Sequence, residues 1–159
     1  MTLFGTKVHY GAVAQTFHWV MAVLMIAAWL SAGDATIMLH ETIGVTVFVM
    51  VAFRLLWRSF DRLPGKPPKG HTSAKVSWLA DLLLYGLLFA VPITGIIGSH
   101  EIRAILAGTH PERGVIDLHR LLANLLILIA GLHSAFALYH HFVRKDGVLK
   151  MMLPARRAA

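Results

Sequence analysis

The stretch LHRLLANLLILIAGLHSAFALYHHFV, residues 118–143, decides how this chain folds. It is an apolar run longer than the roughly 20 residues that a helix needs to cross the hydrocarbon core of a bilayer. Within it stand His119 and His133. Ionisable side chains are costly in such a segment unless they face other helices and find a partner there. The stretch therefore predicts a membrane-spanning helix that presents two imidazoles to neighbouring helices.

Three other segments share this apolar character, and the composition of the whole chain agrees with them. They cover residues 13–32, 37–57 and 78–98. Of the 159 residues, 57% are hydrophobic and 14% are charged, whereas charged residues make up about 25% of a soluble domain. We therefore predict an all-α protein in which residues 1–159 form one domain, a transmembrane up-down four-helix bundle.

The lysines and arginines are distributed unevenly between the two ends of these spans. Only Arg103, Arg113 and Arg120 lie on one side, so the other 12 of the 15 basic residues lie toward the opposite side. By the positive-inside rule we expect a multi-pass protein of the bacterial inner membrane, surrounded by lipid, with both termini in the cytoplasm. The net charge of +7 follows from this topology, and no nucleic-acid partner is expected.

The spacing of four histidines predicts two pairs at two depths. His119 and His133 are 14 residues apart, so on an α-helix they lie within about 40° of one face and about 21 Å apart along the axis. His18 and His133 each stand 11 residues from a basic residue at the cytoplasmic end of their spans. His40 and His119 both lie near the outer ends of theirs. We therefore pair His18 with His133 at the inner level and His40 with His119 at the outer level.

Two stacked pairs of imidazoles suit two haem b groups, each with its iron held by two axial histidines. The chain has no cysteine, which excludes covalent haem attachment and thiolate metal sites, and a filled iron favours electron transfer over oxygen chemistry. A small residue follows each histidine by four positions and shares its helix face. These residues are Ala22, Gly44, Ala123 and Ala137. Their small side chains would leave room for a flat macrocycle beside each histidine, although small residues also occur wherever membrane helices pack closely.

Two further polar residues of the spans have two interpretations each. Arg54 lies 14 residues after His40, near the inner pair, where it would contact a haem propionate or instead extend to the cytoplasmic surface beside Arg58. His140 lies seven residues after His133. It is a candidate for the quinone site or, equally, a histidine of the headgroup region.

The third span is interpreted as scaffold, because it has no internal histidine. Pro92, Gly95 and Gly98 are expected to loosen or kink its helix. The tryptophans near span ends are expected to form interfacial belts. They are Trp19, Trp29, Trp57 and Trp78.

At these residues the chain resembles the bacterial cytochrome b561 family of four-helix dihaem membrane proteins. The matching pieces, in order, are Phe17-His18-Trp19, Leu39-His40 with Gly44, Arg54-Leu55-Leu56-Trp57-Arg58, Pro92-Ile93-Thr94-Gly95, His119, Gly131-Leu132-His133 and His140-His141-Phe142 with Lys145-Asp146. Each piece is short, but their order and the spacing of the histidines are specific. The family's ligand pairing implies His18 with His133 and His40 with His119.

Within that family the resemblance is greatest to the superoxide oxidases, and it implies a superoxide:ubiquinone oxidoreductase. Superoxide would arrive from the periplasm at the outer haem, and membrane ubiquinone would collect the electrons. Basic residues of the outer loop, with Arg120, favour attraction of a small anion, while Glu101, Glu112 and Asp117 nearly cancel their charge. Two other interpretations stay open. One is a cytochrome subunit that relays electrons between the quinone pool and a soluble partner such as a dehydrogenase or hydrogenase, and the other is a membrane scaffold or transporter without redox function.

We expect the purified protein to carry two haems b per chain, because the histidines form two pairs. Haem quantification and an absorption spectrum of detergent-solubilised protein, expressed with ample haem, measure this directly. A colourless protein would remove the basis for the histidine assignment and favour the scaffold or transporter.

Overall fold

The computed structural model describes residues 3–4, 10–61, 71–108, 114–145 and 148–153, except the side chains of 71–77, 101–102 and 148. Within these ranges the chain is helical and contains no strand. The helices are α1 (Ala12–Leu30), α2 (Ile37–Phe60), α3 (His71–Leu106), α4 (Gly114–Tyr139) and α5 (Val148–Met151), with a 3-10 turn at Asp34–Thr36 and a π-helical turn at His140–Arg144. Four of these helices are long and apolar enough to cross a membrane. The predicted all-α fold with four spans is confirmed.

The helices differ from the predicted spans mainly at their ends. The predicted spans 37–57, 78–98 and 118–143 are the apolar parts of longer elements, which end at Phe60, Leu106 and Arg144. Hydropathy reports only the part of a helix that lies in lipid, while its backbone hydrogen bonds continue into the headgroup region. The first helix ends at Leu30, two residues before the end of the predicted span at residue 32. The organisation of residues 1–159 as one domain stays a prediction.

Successive helices are neighbours, since α1 packs against α2, α2 against α3, and α3 against α4. This order is expected of an up-down bundle. A small core lies among the first three helices, where Met21, Val47 and Val51 are buried. Many large apolar side chains are exposed elsewhere on the helices. Such exposure agrees with helices whose outer faces meet lipid.

Glycines allow α3 to approach α4 closely. A Cβ added to Gly98 would stand 3.4 Å from Cγ1 of Ile116, and one added to Gly95 would stand 3.0 Å from the ring of His119. The helix continues through Pro92 between Val91 and these glycines. Small residues permit such close approach of membrane helices. Gly95 and Gly98 therefore allow close packing against α4. From the sequence these residues were expected to loosen or kink α3, and this packing role was not predicted.

The end of the chain returns to the start of α1. The π-helical turn ends at Lys145, whose left-handed backbone, with φ of 50°, redirects the chain. The side-chain amide of Gln15 lies 3.2 Å from the carbonyl oxygens of both Met151 and Leu153, and the indole of Trp19 donates to the carbonyl of residue 152 at 3.0 Å. Gln15 is only 4% exposed. A buried amide therefore joins the first helix to the segment that follows α4.

Replacing Gln15 with Leu should lower the thermal stability of the protein. The variant removes the donor to the carbonyls of Tyr10 and Leu153, while the carbonyl of Met151 keeps the backbone N–H of Tyr10 at 3.2 Å. Loss of a buried hydrogen bond that leaves its partner unsatisfied costs about 1–3 kcal/mol. Thermal unfolding followed by circular dichroism in a single detergent measures the loss. Ser134→Ala is the control, because the exposed hydroxyl of Ser134 bonds to Ala130 of its own helix. Equal destabilisation by both substitutions would contradict this role of Gln15.

Candidate functional site

The outer histidine pair is brought together by α2 and α4. The ring centroids of His40 and His119 are 5.9 Å apart, and the two ring planes are nearly perpendicular, at 89°. Two imidazole nitrogens bound to one metal at about 2 Å each would place the ring centroids roughly 6 Å apart. The observed separation therefore fits one metal atom between the two rings.

A backbone carbonyl fixes the Nδ1 atom of each outer ring. Nδ1 of His40 lies 2.8 Å from the carbonyl oxygen of Ala28 on α1, and Nδ1 of His119 lies 2.9 Å from that of Val91 on α3. A carbonyl oxygen can only accept a hydrogen bond, so both Nδ1 atoms carry the proton and both Nε2 atoms keep a lone pair. Metal-binding histidines are typically oriented by such a bond from the other ring nitrogen.

α3 also restricts the position of the His119 ring. The hydroxyl of Thr94 lies 3.3 Å from its Nδ1 atom, and the missing side chain at Gly95 leaves room for the ring. The interpretation of α3 as scaffold missed these contacts, because a search for ligands finds nothing on a helix without histidine. The one available signal was the piece Pro92-Ile93-Thr94-Gly95, which combines a hydroxyl group and a small residue one helical turn apart.

A cavity of about 750 Å³ adjoins the outer pair and is lined by all four long helices. His40, His119, Gly44 and Ala123 are among its lining residues. A Cβ added to Gly44 would meet no atom within 4 Å, so the space beside this residue is open. Cavities of about 300–1,000 Å³ are typical of sites for cofactors and small molecules. The expected clearance at Gly44 and Ala123 therefore coincides with a cavity of suitable size.

The donor set around the cavity favours a cofactor that supplies its own in-plane metal ligands. Among the described residues, no group of three or more His, Cys, Asp or Glu side chains could hold a bare metal ion. A metal in a flat macrocycle needs protein ligands only above and below the plane. His40 and His119, with the cavity between the helices, therefore fit haem.

The inner histidines, His18 on α1 and His133 on α4, are both half-buried, as is Arg54 on α2. Nε of Arg54 donates a hydrogen bond to the hydroxyl of Tyr85 at 3.0 Å. This bond holds the guanidinium group against α3 inside the bundle. It supports an interior role for Arg54 over extension to the cytoplasmic surface.

A polar group at this end of the bundle consists of Arg54, Tyr85, Arg58, Asp81 and Tyr10. Arg58 forms an ion pair with Asp81 at 3.9 Å and stands 5.6 Å from the centroid of the Tyr85 ring. Burial raises the pKa of Tyr10, the carboxylate of Asp81 raises it further, and the arginines lower it. The phenol of Tyr10 is therefore neutral at physiological pH. The charges of this group are two guanidinium groups and one carboxylate.

His140 is buried at the start of the π-helical turn. Only 4% of its surface is exposed, and its ring centroid lies 4.3 Å from that of Phe136. Such burial is not expected of a histidine in the headgroup region. π-helical turns are frequent at functional sites, although His140 is not among the residues that line the cavity beside the outer pair.

Two arginines line the outer end of the cavity, and each has a carboxylate nearby. Arg103 lies 3.7 Å from Glu41, and Arg120 lies 3.7 Å from Asp117. Each of these guanidinium groups therefore has an acid beside it, Asp117 from the expected set and Glu41 in addition. Four other charged or titratable residues of the outer loop, between the third and fourth spans, lie outside the described residues or have side chains that do. They are His110, Arg113, Glu112 and Glu101.

Comparison with known proteins identifies related chains over almost the whole length. Residues 9–155 match a family described as prokaryotic cytochrome b561. Cytochrome b561 homolog 2 of Escherichia coli (strain K12) is 30% identical, and the match covers 96% of this chain and 95% of that protein. The probable superoxide oxidase CybB of Yersinia pestis is 32% identical, with 93% and 97% covered. Cytochrome b562 of Cereibacter sphaeroides is 34% identical, with 74% and 68% covered.

Replacing Gly95 with Val should displace the His119 ring, because even a Cβ at this position would stand 3.0 Å from it. We expect the purified variant to lose one haem, measured as the molar ratio of haem to protein. Gly86→Val is the matched control, since Gly86 lies on the same helix and a Cβ there meets no atom within 4 Å. Full haem content in the Gly95 variant would show that α3 does not position this ring.

Proposed function

Because this chain belongs to the prokaryotic cytochrome b561 family, we propose that it transfers electrons from periplasmic superoxide to membrane ubiquinone through two haems b. The family makes it a multi-pass bacterial membrane protein with b-type haem and a role in electron transfer. The interpretation as a scaffold or transporter without redox function is therefore wrong. The substrate, the acceptor and the two-haem arrangement are the proposal.

The observation that carries the proposal is the arrangement of the outer pair. His40 and His119 have Nδ1 bound to backbone carbonyls, so their Nε2 atoms would hold the outer haem iron. His18 and His133 would hold the inner one, since each stands 11 residues from a basic residue at the same end of its span. Haem supplies one-electron chemistry, and two histidine ligands leave no open position for oxygen binding. The protein's contribution is to place the two groups at successive depths.

Superoxide oxidation requires little chemistry from the residues at the outer end of the cavity. Each superoxide anion loses one electron and becomes O2, so no bond breaks and no proton is needed. The rim must only attract a small anion to the cavity. Arg103 and Arg120 line that cavity, and their exposed ion pairs at 3.7 Å are weak enough for the guanidinium groups to bind another anion.

Quinone reduction requires protons as well as electrons. One ubiquinone takes up two electrons, from two superoxide anions, and two protons to become ubiquinol. His140 is our candidate to donate a hydrogen bond to a ring carbonyl, because an imidazole can pass protons near neutral pH. Its burial beside Phe136 agrees with contact to an apolar ligand. With both termini in the cytoplasm, His140 would lie toward the inner haem.

The proposal predicts that superoxide alone reduces the haems, because no partner protein is required. Stopped-flow absorption measures this on oxidised protein mixed with superoxide, and added ubiquinone should then reoxidise the haems. We expect His119→Ala and His133→Ala each to lose one haem, to keep the other, and to abolish electron flow to ubiquinone.

Superoxide dismutase is the control, since it should suppress haem reduction. Haems that stay oxidised in superoxide but are reduced by a partner dehydrogenase or hydrogenase would identify the relay subunit instead. Loss of neither haem in the two histidine variants would overturn the ligand assignment.

A further inference from the structure

Trp57 departs from the interfacial belt that the sequence suggested. Trp19, Trp29 and Trp78 are exposed, as expected of belt residues, whereas Trp57 is half-buried and stacked on Phe4, with ring centroids 5.1 Å apart. Its Nε1 atom is buried and has no hydrogen-bond partner among the described residues. An indole N–H can only donate, and an unsatisfied buried donor costs about 1–3 kcal/mol. The position therefore requires an acceptor.

Arg54 presents donors to the same side of α2. It precedes Trp57 by three residues, and helix positions i and i+3 are neighbours on one face. Nε of Arg54 is occupied by the hydroxyl of Tyr85 at 3.0 Å, which restricts how the guanidinium plane can turn. The nearby carboxylate of Asp81 is engaged by Arg58 at 3.9 Å. Among the described side chains Arg54, Trp57, Arg58, Tyr85 and Asp81, hydrogen-bond donors therefore exceed acceptors.

This group of donors adjoins the inner histidine pair. His40 on α2 and His119 on α4 meet at one level. Arg54 and His133 each follow by 14 residues, or about 21 Å of helix, on these two helices, so the guanidinium group lies at the depth of the inner pair. An anion here would be flanked by Trp57 on α2 and by the Arg54 fork. A carboxylate fits such a fork because guanidinium and carboxylate groups form paired, charge-assisted hydrogen bonds. A bare lipid phosphate is a poorer fit, because Phe4 covers Trp57 and Arg54 is held inward by Tyr85.

We propose that Trp57 and Arg54, with Tyr85 orienting Arg54, anchor a propionate of the inner haem. The inference rests on the proposed function, because it needs a haem between His18 and His133. Trp57 and Arg54 would donate to the carboxylate, and Tyr85 is a positioning residue that does not touch it. The anchor also brings a fixed positive charge close to the inner haem, and a cation beside a haem favours its reduced state.

Redox titration without superoxide or quinone tests the anchor. We expect Arg54→Gln to lower the midpoint potential of one haem. At a fixed potential, the ratio of its oxidised to reduced forms should rise about tenfold, which corresponds to about 59 mV for a one-electron couple. Trp57→Phe and Tyr85→Phe should shift the same haem in the same direction by less. All three variants should release that haem faster to apomyoglobin.

Two controls make the result specific. Arg144→Gln removes an exposed positive charge at the same end of the bundle and should leave both potentials unchanged. The His133→Ala variant should keep only the outer haem. In that variant, Arg54→Gln should change neither the midpoint potential nor the release rate of the remaining haem. Circular dichroism verifies that each variant keeps its helical content.

Potentials and haem release that do not differ between Arg54→Gln and Arg144→Gln would overturn the anchor. Variants that only weaken binding to vesicles containing anionic lipid would assign the donors to a lipid phosphate and would overturn it as well. Neither result depends on the reaction with superoxide. Failure of wild-type protein to react with superoxide would instead contradict the proposed function and leave the anchor to be judged by its potentials.

Discussion

An imidazole inside a bilayer needs partners for its ring nitrogens, and the arrangement of the helices depends on how this need is met. Each outer ring is oriented by a helix other than its own. α1 provides the carbonyl of Ala28 to His40, and α3 provides that of Val91 to His119. A helical carbonyl has a second lone pair for such a bond. All four long helices are therefore needed to hold two rings, which explains why the cavity is lined by all of them.

The described charged groups near the two histidine pairs differ in their balance. Near the outer pair, Arg103 and Arg120 each have a carboxylate at 3.7 Å. In the polar group around Tyr85, the guanidinium groups of Arg54 and Arg58 accompany the carboxylate of Asp81. A more positive surrounding favours the reduced state of a haem. Under the proposed function, this difference would favour movement of electrons from the outer to the inner haem.

The sequence predicted the class of fold well and the supporting contacts poorly. Four apolar runs are long enough to cross a membrane. Lipid offers no hydrogen-bond partners, so the backbone groups of each run must bond to one another, as they do in a helix. The spacing of His40, His119, His18 and His133 indicated two levels, and the structure brings the outer pair to 5.9 Å. The contribution of α3 was missed, because Val91 acts through its backbone and Gly95 through the absence of a side chain. Neither feature is visible as a ligand in the sequence.

Length, hydrophobicity and helical periodicity are properties of single segments, so the four spans and the helix faces of the histidines could be predicted from the order of residues. Which atoms meet across helices became known only from the folded arrangement. It placed a carbonyl of α1 against His40, a phenol of α3 against Arg54, and the end of the chain against Gln15. These contacts depend on the rotation, depth and spacing of helices relative to one another. Those quantities are set by packing between segments distant in sequence.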